Sequence, residues 1–231
     1  MARNALIFGV GSGISAAFAR ALAKQGYAVG LVARDPGKLA GLAAETGARV
    51  FKADVTKAAE VSEAFDAAER DLGPLDVVLY NPSYRVRGPI TDLDPAEVAR
   101  TIEVTAFGAF LVGQQAARRM LPRGAGTIMF TGASAGVKGY PQSAPFAMGK
   151  FALRGLAQSM ARELHPKGIH VAHFVIDGGV RNTERRRVED GDSPDSLLAP
   201  EAIAESYMHV LGQPRSAWSW EIEVRPWVER F

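Results

Sequence analysis

Ala5-Leu-Ile-Phe-Gly9-Val-Gly11-Ser-Gly13-Ile-Ser15 is the stretch on which the architecture turns. A short apolar run that ends on three spaced glycines and passes into the alanine-rich segment Ile14–Gln25 reads as strand, tight turn, helix. Glycine allows the turn to be sharp and lets the main chain approach a ligand closely. The helix start offers unpaired N–H groups and the positive end of a dipole, so the combination favours an anion, the pyrophosphate of a dinucleotide above all.

The same alternation repeats outward along the chain. Strands are expected at Ala5–Phe8, Ala28–Val32, Arg49–Lys52, Val77–Tyr80, Thr127–Thr131, His170–Val175 and Glu221–Val224. Helices are expected at Ile14–Gln25, Pro36–Thr46, Ala58–Leu72, Pro95–Met120, Ala144–Leu164 and Pro200–Leu211. Runs such as Asp76-Val-Val-Leu-Tyr80 are apolar almost without a break, as strands covered on both faces require. The fold class predicted is α/β: a Rossmann-type, doubly wound, seven-stranded parallel sheet with helices on both faces.

No Pro-, Gly- or Ser-rich linker divides the 231 residues, so one domain spanning 1–231 is expected. The polar stretch Asp177–Pro200, with Gly191 and Pro194, reads as an insertion that covers a ligand. A net charge of +2 argues against a nucleic-acid partner, and the absence of cysteine excludes disulfides and thiolate chemistry. The four histidines lack metal-ligand spacing, so no metal is expected. No window approaches the ~18 apolar residues of a membrane span. Met1-Ala-Arg-Asn leads into no long apolar leader, and a cytoplasmic address is expected. The dense group Arg181, Arg185, Arg186 and Arg187 reads as a solvated face or a mobile lid, with an anionic contact as the second reading.

The second strand ends Val32-Ala33-Arg34, with no carboxylate for a ribose 2′-hydroxyl. Arg34 suits a 2′-phosphate instead, which favours NADP(H) over NAD(H). Asp35 is the one neighbour able to take the opposite role, unless it is a solvated loop carboxylate.

From Ala5 to Thr183 the chain resembles the short-chain dehydrogenase/reductase family. The glycine turn resembles that family's Gly-x-x-x-Gly-x-Gly at Gly9 and Gly13, with Ser15 in place of the last glycine. Asp54-Val55, Asn81 in Tyr80-Asn-Pro-Ser, Lys150, Gly179 and Thr183 follow in order. The resemblance implies a cofactor held by Gly9, Gly11, Ser12, Gly13, Ile14, Arg34, Asp54, Val55, Asn81, Lys150, Gly179 and Thr183. It also implies pairing of the Pro95–Met120 and Ala144–Leu164 helices across a homodimer or homotetramer.

The family's proton-handling groups are largely replaced. The tyrosine of its Tyr-x-x-x-Lys pattern falls on Phe146, its serine on Ala133 and its helix asparagine on Thr105, while Lys150 remains. A phenyl ring or a methyl group transfers no proton, so the usual carbonyl chemistry is expected to be severely impaired. Tyr140, with Lys150, is the expected catalytic pair; Tyr84, Ser134 and Asp177 are further candidates. Three functional readings follow. The first is a small-molecule reductase, NADPH-dependent, acting on C=N or C=C bonds, or on carbonyls through a substitute donor. The second is a nucleotide-binding sensor or structural subunit without turnover. The third is an interaction protein using the aromatic tail Trp218–Phe231.

Overall fold

Leu6 and Phe8 belong to the apolar core on one face of the sheet and Ala5 and Ile7 to the core on the other, and all four are fully buried. That is the period-two consequence of an unbroken apolar run placed at the centre of a parallel sheet. The computed structural model describes residues 3–184, 186–189, 191 and 194–229. Its strands are β1 (Arg3–Phe8), β2 (Tyr27–Ala33), β3 (Arg49–Lys52), β4 (Val77–Tyr80), β5 (Gly126–Thr131), β6 (Ile169–Ile176) and β7 (Glu221–Val224). They form one sheet in the order β3-β2-β1-β4-β5-β6-β7, parallel throughout.

One face is covered by α1 (Ile14–Lys24), α2 (Ala40–Thr46) and α7 (Pro200–Leu211). The other is covered by α3 (Ala58–Leu72), α5 (Gly108–Met120) and α6 (Ala144–Leu164), with α4 (Pro95–Ile102) packed against α6. Phe18 of α1 meets the Tyr207 ring of α7 edge-on at 5.3 Å between centroids, and Tyr207 lies 4.1 Å from Phe174 of β6. Each such side chain, fully buried, contributes about 1.5–3 kcal/mol. The Tyr207 hydroxyl keeps a polar partner, Thr131 Oγ1 at 2.9 Å.

From β1 the chain winds outward through β2 and β3 on one side, then returns to β4 on the other. The carboxyl ends of β1 and β4 therefore diverge, which opens a crevice at the place where α/β sheets bind ligands.

The strands match the sequence expectations to within two residues at every end. The expected helix Pro95–Met120 is instead interrupted by a π-turn at Glu103–Phe107. Its cause is tertiary: the Tyr80 hydroxyl donates to the Val104 carbonyl, and Thr105 packs against Gly149 of α6. The expected helix Pro36–Thr46 begins as a 3₁₀ turn, Pro36–Leu39, capped by Asp35.

In the Asp177–Pro200 stretch a backbone bridge joins Val180 to Leu198, and a second joins Asn182 to Arg187. Arg185 of the arginine group lies outside the described residues, as does Phe231 of the tail. Trp218 stacks on His170 at 4.6 Å and Trp220 packs on the core, whereas Trp227 is 80% exposed. Among the described residues no helix is long and apolar enough to cross a membrane.

Candidate active site

A cleft of about 1050 Å³ opens at the carboxyl ends of β1, β4 and β5. Its floor is the glycine turn. Gly9 has φ +77°, and a Cβ there would lie 2.6 Å from the Pro82 nitrogen, so both the conformation and the close approach to the β4 end demand glycine. A Cβ at Gly11 would meet open space. No side chain caps α1 at Gly13, which leaves the first N–H groups of the helix for a ligand.

Ser15, which stands where the family pattern has glycine, is buried. Its hydroxyl donates to the Gly9 carbonyl at 3.1 Å and accepts from Asn81 Nδ2 at 2.7 Å. The serine thus ties the glycine turn to the end of β4. Sequence reading treated it as a departure and missed this role, which depends on a contact across 66 residues of chain.

At the adenosine end, Arg34 is exposed, lines the cleft and makes no ion pair among the described residues. Asp35 accepts from Gly37 N at 3.2 Å and faces Lys38 at 3.5 Å, so its carboxylate is committed to the following turn. Asp54 accepts from Thr56 N and Oγ1 at 3.0 and 2.9 Å. Burial pushes its carboxyl up, but these bonds and the nearby Arg34 charge outweigh it and hold it below its usual range. Ser12, Ile14, Val55 and Gly179 also line the cleft, whereas Thr183 lies outside the lining and is exposed. Its neighbour Asn182 reaches the cleft instead and donates to Ser12 Oγ at 3.2 Å.

The other end holds the replaced proton-handling positions. Phe146 and Lys150 are one turn apart on α6, and the Lys150 ammonium lies 5.8 Å from the Phe146 ring centroid. Lys150 Nζ donates to the Thr131 carbonyl at 2.7 Å, and burial pushes its pKa down to about 7. Ala133 lines the cleft beside Phe146, so methyl and phenyl occupy the two positions. Thr105 is fully buried, and its hydroxyl accepts from Tyr84 N at 3.4 Å rather than facing the cleft. The Tyr84 hydroxyl donates to Glu97 at 2.5 Å and is thereby occupied. Ser134 lines the cleft with a hydroxyl that meets no partner among the described residues.

Tyr140 lies in the same cleft, 41% exposed, with the Lys138 ammonium 5.7 Å from its ring centroid. Lys138 in turn faces the buried Asp177 carboxylate at 3.4 Å. The Tyr140 hydroxyl alongside, followed by the Asp177 charge, raises the Lys138 pKa despite some desolvation. Asp177 is also 3.5 Å from Arg225. The arrangement places a phenol beside a charged ammonium. Lys138 went unnoticed in the sequence, where only its spacing of two residues from Tyr140 marked it.

Residues 3–192 match the family model described as short chain dehydrogenase. The 2-(S)-hydroxypropyl-CoM dehydrogenase 3 of Xanthobacter autotrophicus is 36% identical over 182 residues, covering 77% of this chain and 71% of that protein. A short-chain dehydrogenase from Rhodopseudomonas palustris superimposes with a TM-score of 0.83 at 36% identity, covering 97% of this chain and 99% of that one. An alcohol dehydrogenase from the archaeon Thermococcus sibiricus, solved with 5-hydroxy-NADP, gives a TM-score of 0.87 at 25% identity, covering all of this chain and 99% of that one.

Proposed function

The chain belongs to the short chain dehydrogenase family, and from that premise we propose that it is an NADPH-dependent reductase of a small molecule whose proton comes from Tyr140 rather than from residue 146. The observation that carries this reading is that Tyr140 and Asp177 line the same cleft as the glycine turn and Lys150, with Lys138 linking the two from behind the lining.

The residues fit such a nucleotide. Gly9, Gly11, Ser12, Gly13 and Ile14 would hold its pyrophosphate through main-chain N–H groups, and Arg34 its 2′-phosphate. Asp54 and Val55 would flank the adenine, Asn81 would fix the turn through Ser15, and Lys150 would take the ribose hydroxyls. Gly179 and Asn182, which line the cleft, would border the nicotinamide end, Asn182 in place of Thr183. When bound, NADPH supplies the hydride. Tyr140 gives its proton to the substrate atom that gains electron density, an oxygen or the carbon beside an unsaturated carbonyl, and Lys138 stabilises the phenolate left behind. Phe146 and Ala133 exclude water from the reacting face and take no part in the transfer. Reduction of a C=N bond in its cationic form needs no donor at all. The pairing of like subunits through α5 and α6 belongs to the same proposal, supported by the exposed Phe107, Phe110, Met148 and Phe151.

Titration with NADPH and NADH, followed by stopped-flow fluorescence with pooled carbonyls, enones and cyclic imines, tests the reading. NADPH is expected to bind more tightly than NADH. Arg34→Ala should remove that preference by weakening NADPH about 10–100-fold. Tyr140→Phe should lower the rate of NADPH oxidation by about 10²–10⁴ while leaving nucleotide affinity unchanged. Binding without oxidation by any pool would leave a nucleotide-binding sensor or structural subunit. Absence of binding would end both readings.

A further inference from the structure

Several side-chain cations of this chain meet a carboxylate: Arg20 meets Glu45, Arg119 meets Glu69, Arg154 meets Glu221, and Lys138 meets Asp177. Arg85, Arg87 and Arg187 do not. All three line the cleft, and among the described residues none forms an ion pair or a side-chain hydrogen bond. They come from two separate segments, each fastened in place. The segment carrying Arg85 and Arg87 is held by Gly88 N donating to the Gln142 carbonyl at 3.1 Å. Arg187 is held by paired main-chain bonds with Asn182, which itself reaches Ser12. The Arg85 guanidinium stands 4.7 Å from the centroid of the Phe146 ring, directly over the position where the family's acid is replaced.

All three are solvent-exposed, so water screens much of their mutual repulsion, and no carboxylate among the described residues offsets what remains. Partial burial, with Arg87 and Arg187 nearby, pushes the Arg85 pKa down, as such crowding should. The acidic groups on the cleft wall do not relieve it: Asp177 faces Lys138 and Arg225, Asp54 is bonded to Thr56, and Asp35 is turned to Gly37 and Lys38. Glu229 is exposed at the rim and pairs with none of the three.

We infer that Arg85, Arg87 and Arg187 form the recognition site for an anionic group on the substrate, a carboxylate, sulfonate or phosphate, placed beside Phe146. Guanidinium groups hold such anions by paired, charge-assisted hydrogen bonds, and several converging from different segments select for them. The same charges repel a cationic iminium carbon, so among the reactions proposed above the site selects an acidic carbonyl or enone. The inference rests on the reductase reading for the word substrate. The anion site itself stands on the arginines.

The anion has two sources to separate, the substrate and the cofactor's own phosphates. Benzoate and benzenesulfonate, with benzamide and benzyl alcohol as neutral counterparts, are titrated into the protein with and without saturating NADPH and followed by calorimetry. The acids are expected to bind the NADPH-loaded protein at least about tenfold more tightly than the neutral probes, with affinity falling as salt is added. Arg85→Gln with Arg87→Gln, and separately Arg187→Gln, should abolish the preference while NADPH affinity holds. Equal binding of acids and neutral probes, or no binding of either, overturns the inference. So does a parallel loss of NADPH affinity in the variants, which assigns the arginines to the cofactor. If the parent binds no NADPH yet still selects the acids through these arginines, the reductase reading fails and the anion site survives.

Discussion

His173 shows how one side chain registers the fold around it. Its ring is fully buried on β6, with Nδ1 3.0 Å from Glu221 Oε2. Nε2 meets no partner among the described residues and fills the space that a Cβ on Gly132 would need, 2.2 Å away. Burial holds its pKa down to about 4, with the Glu221 carboxylate opposing and Lys150 and Arg154 assisting. Between that value and the unfolded pKa near 6.5 the unfolded chain binds the extra proton, so stability falls as pH drops through the window, by about 3 kcal/mol in all. Denaturant unfolding from pH 7 to pH 4.5 should show that slope, and His173→Gln should flatten it. A slope unchanged in the variant assigns the acid sensitivity to other groups. None of this was visible in the sequence, because His173 and Glu221 are 48 residues apart and meet only through the β6–β7 register.

At the scale of elements, the β1–α1 turn was legible because its chemistry is local. The spacing of Gly9, Gly11 and Gly13 after an apolar run encodes the conformation directly, and the structure gives Gly9 the positive φ that such a turn needs. Gly9→Ala should therefore destabilise the protein by roughly 1–3 kcal/mol through backbone strain, with the Pro82 collision adding to it. A fall in Tm with loss of NADPH binding is the expected result, and an unshifted Tm would show that the turn relaxes without cost. The π-turn at Glu103–Phe107 was illegible for the opposite reason. Its local sequence supports an ordinary helix, and what widens the turn is the Tyr80 hydroxyl on the Val104 carbonyl and the fit of Thr105 against Gly149. The side-chain pair Tyr140–Lys138 sits between these cases: one partner was readable as a candidate, while its link to Asp177 required the loop after β5 to fold against the end of β6.

For the whole molecule, the apolar surface left uncovered points to association. Phe107 and Phe110, whose rings stack at 6.2 Å, remain 49% and 41% exposed, with Phe151 at 46% on the adjoining helix. Light scattering at micromolar concentration should give a dimer or tetramer, and Phe110→Ser with Phe151→Ser should shift it to monomer without loss of Tm; a monomeric parent sinks that expectation. The sequence by itself determined the seven-stranded α/β sheet, the family resemblance, the nucleotide turn and the absence of a phenol at residue 146, since periodicity, glycine spacing and residue identity act over short stretches of chain. Only the tertiary structure decided that Lys138 stands between Asp177 and Tyr140, and that Arg85, over Phe146, shares its cleft with Arg87 and Arg187. Charge interactions depend on separation in space, and residues 85 and 187 become neighbours only when the loop after β4 and the stretch after β6 close over the same cleft.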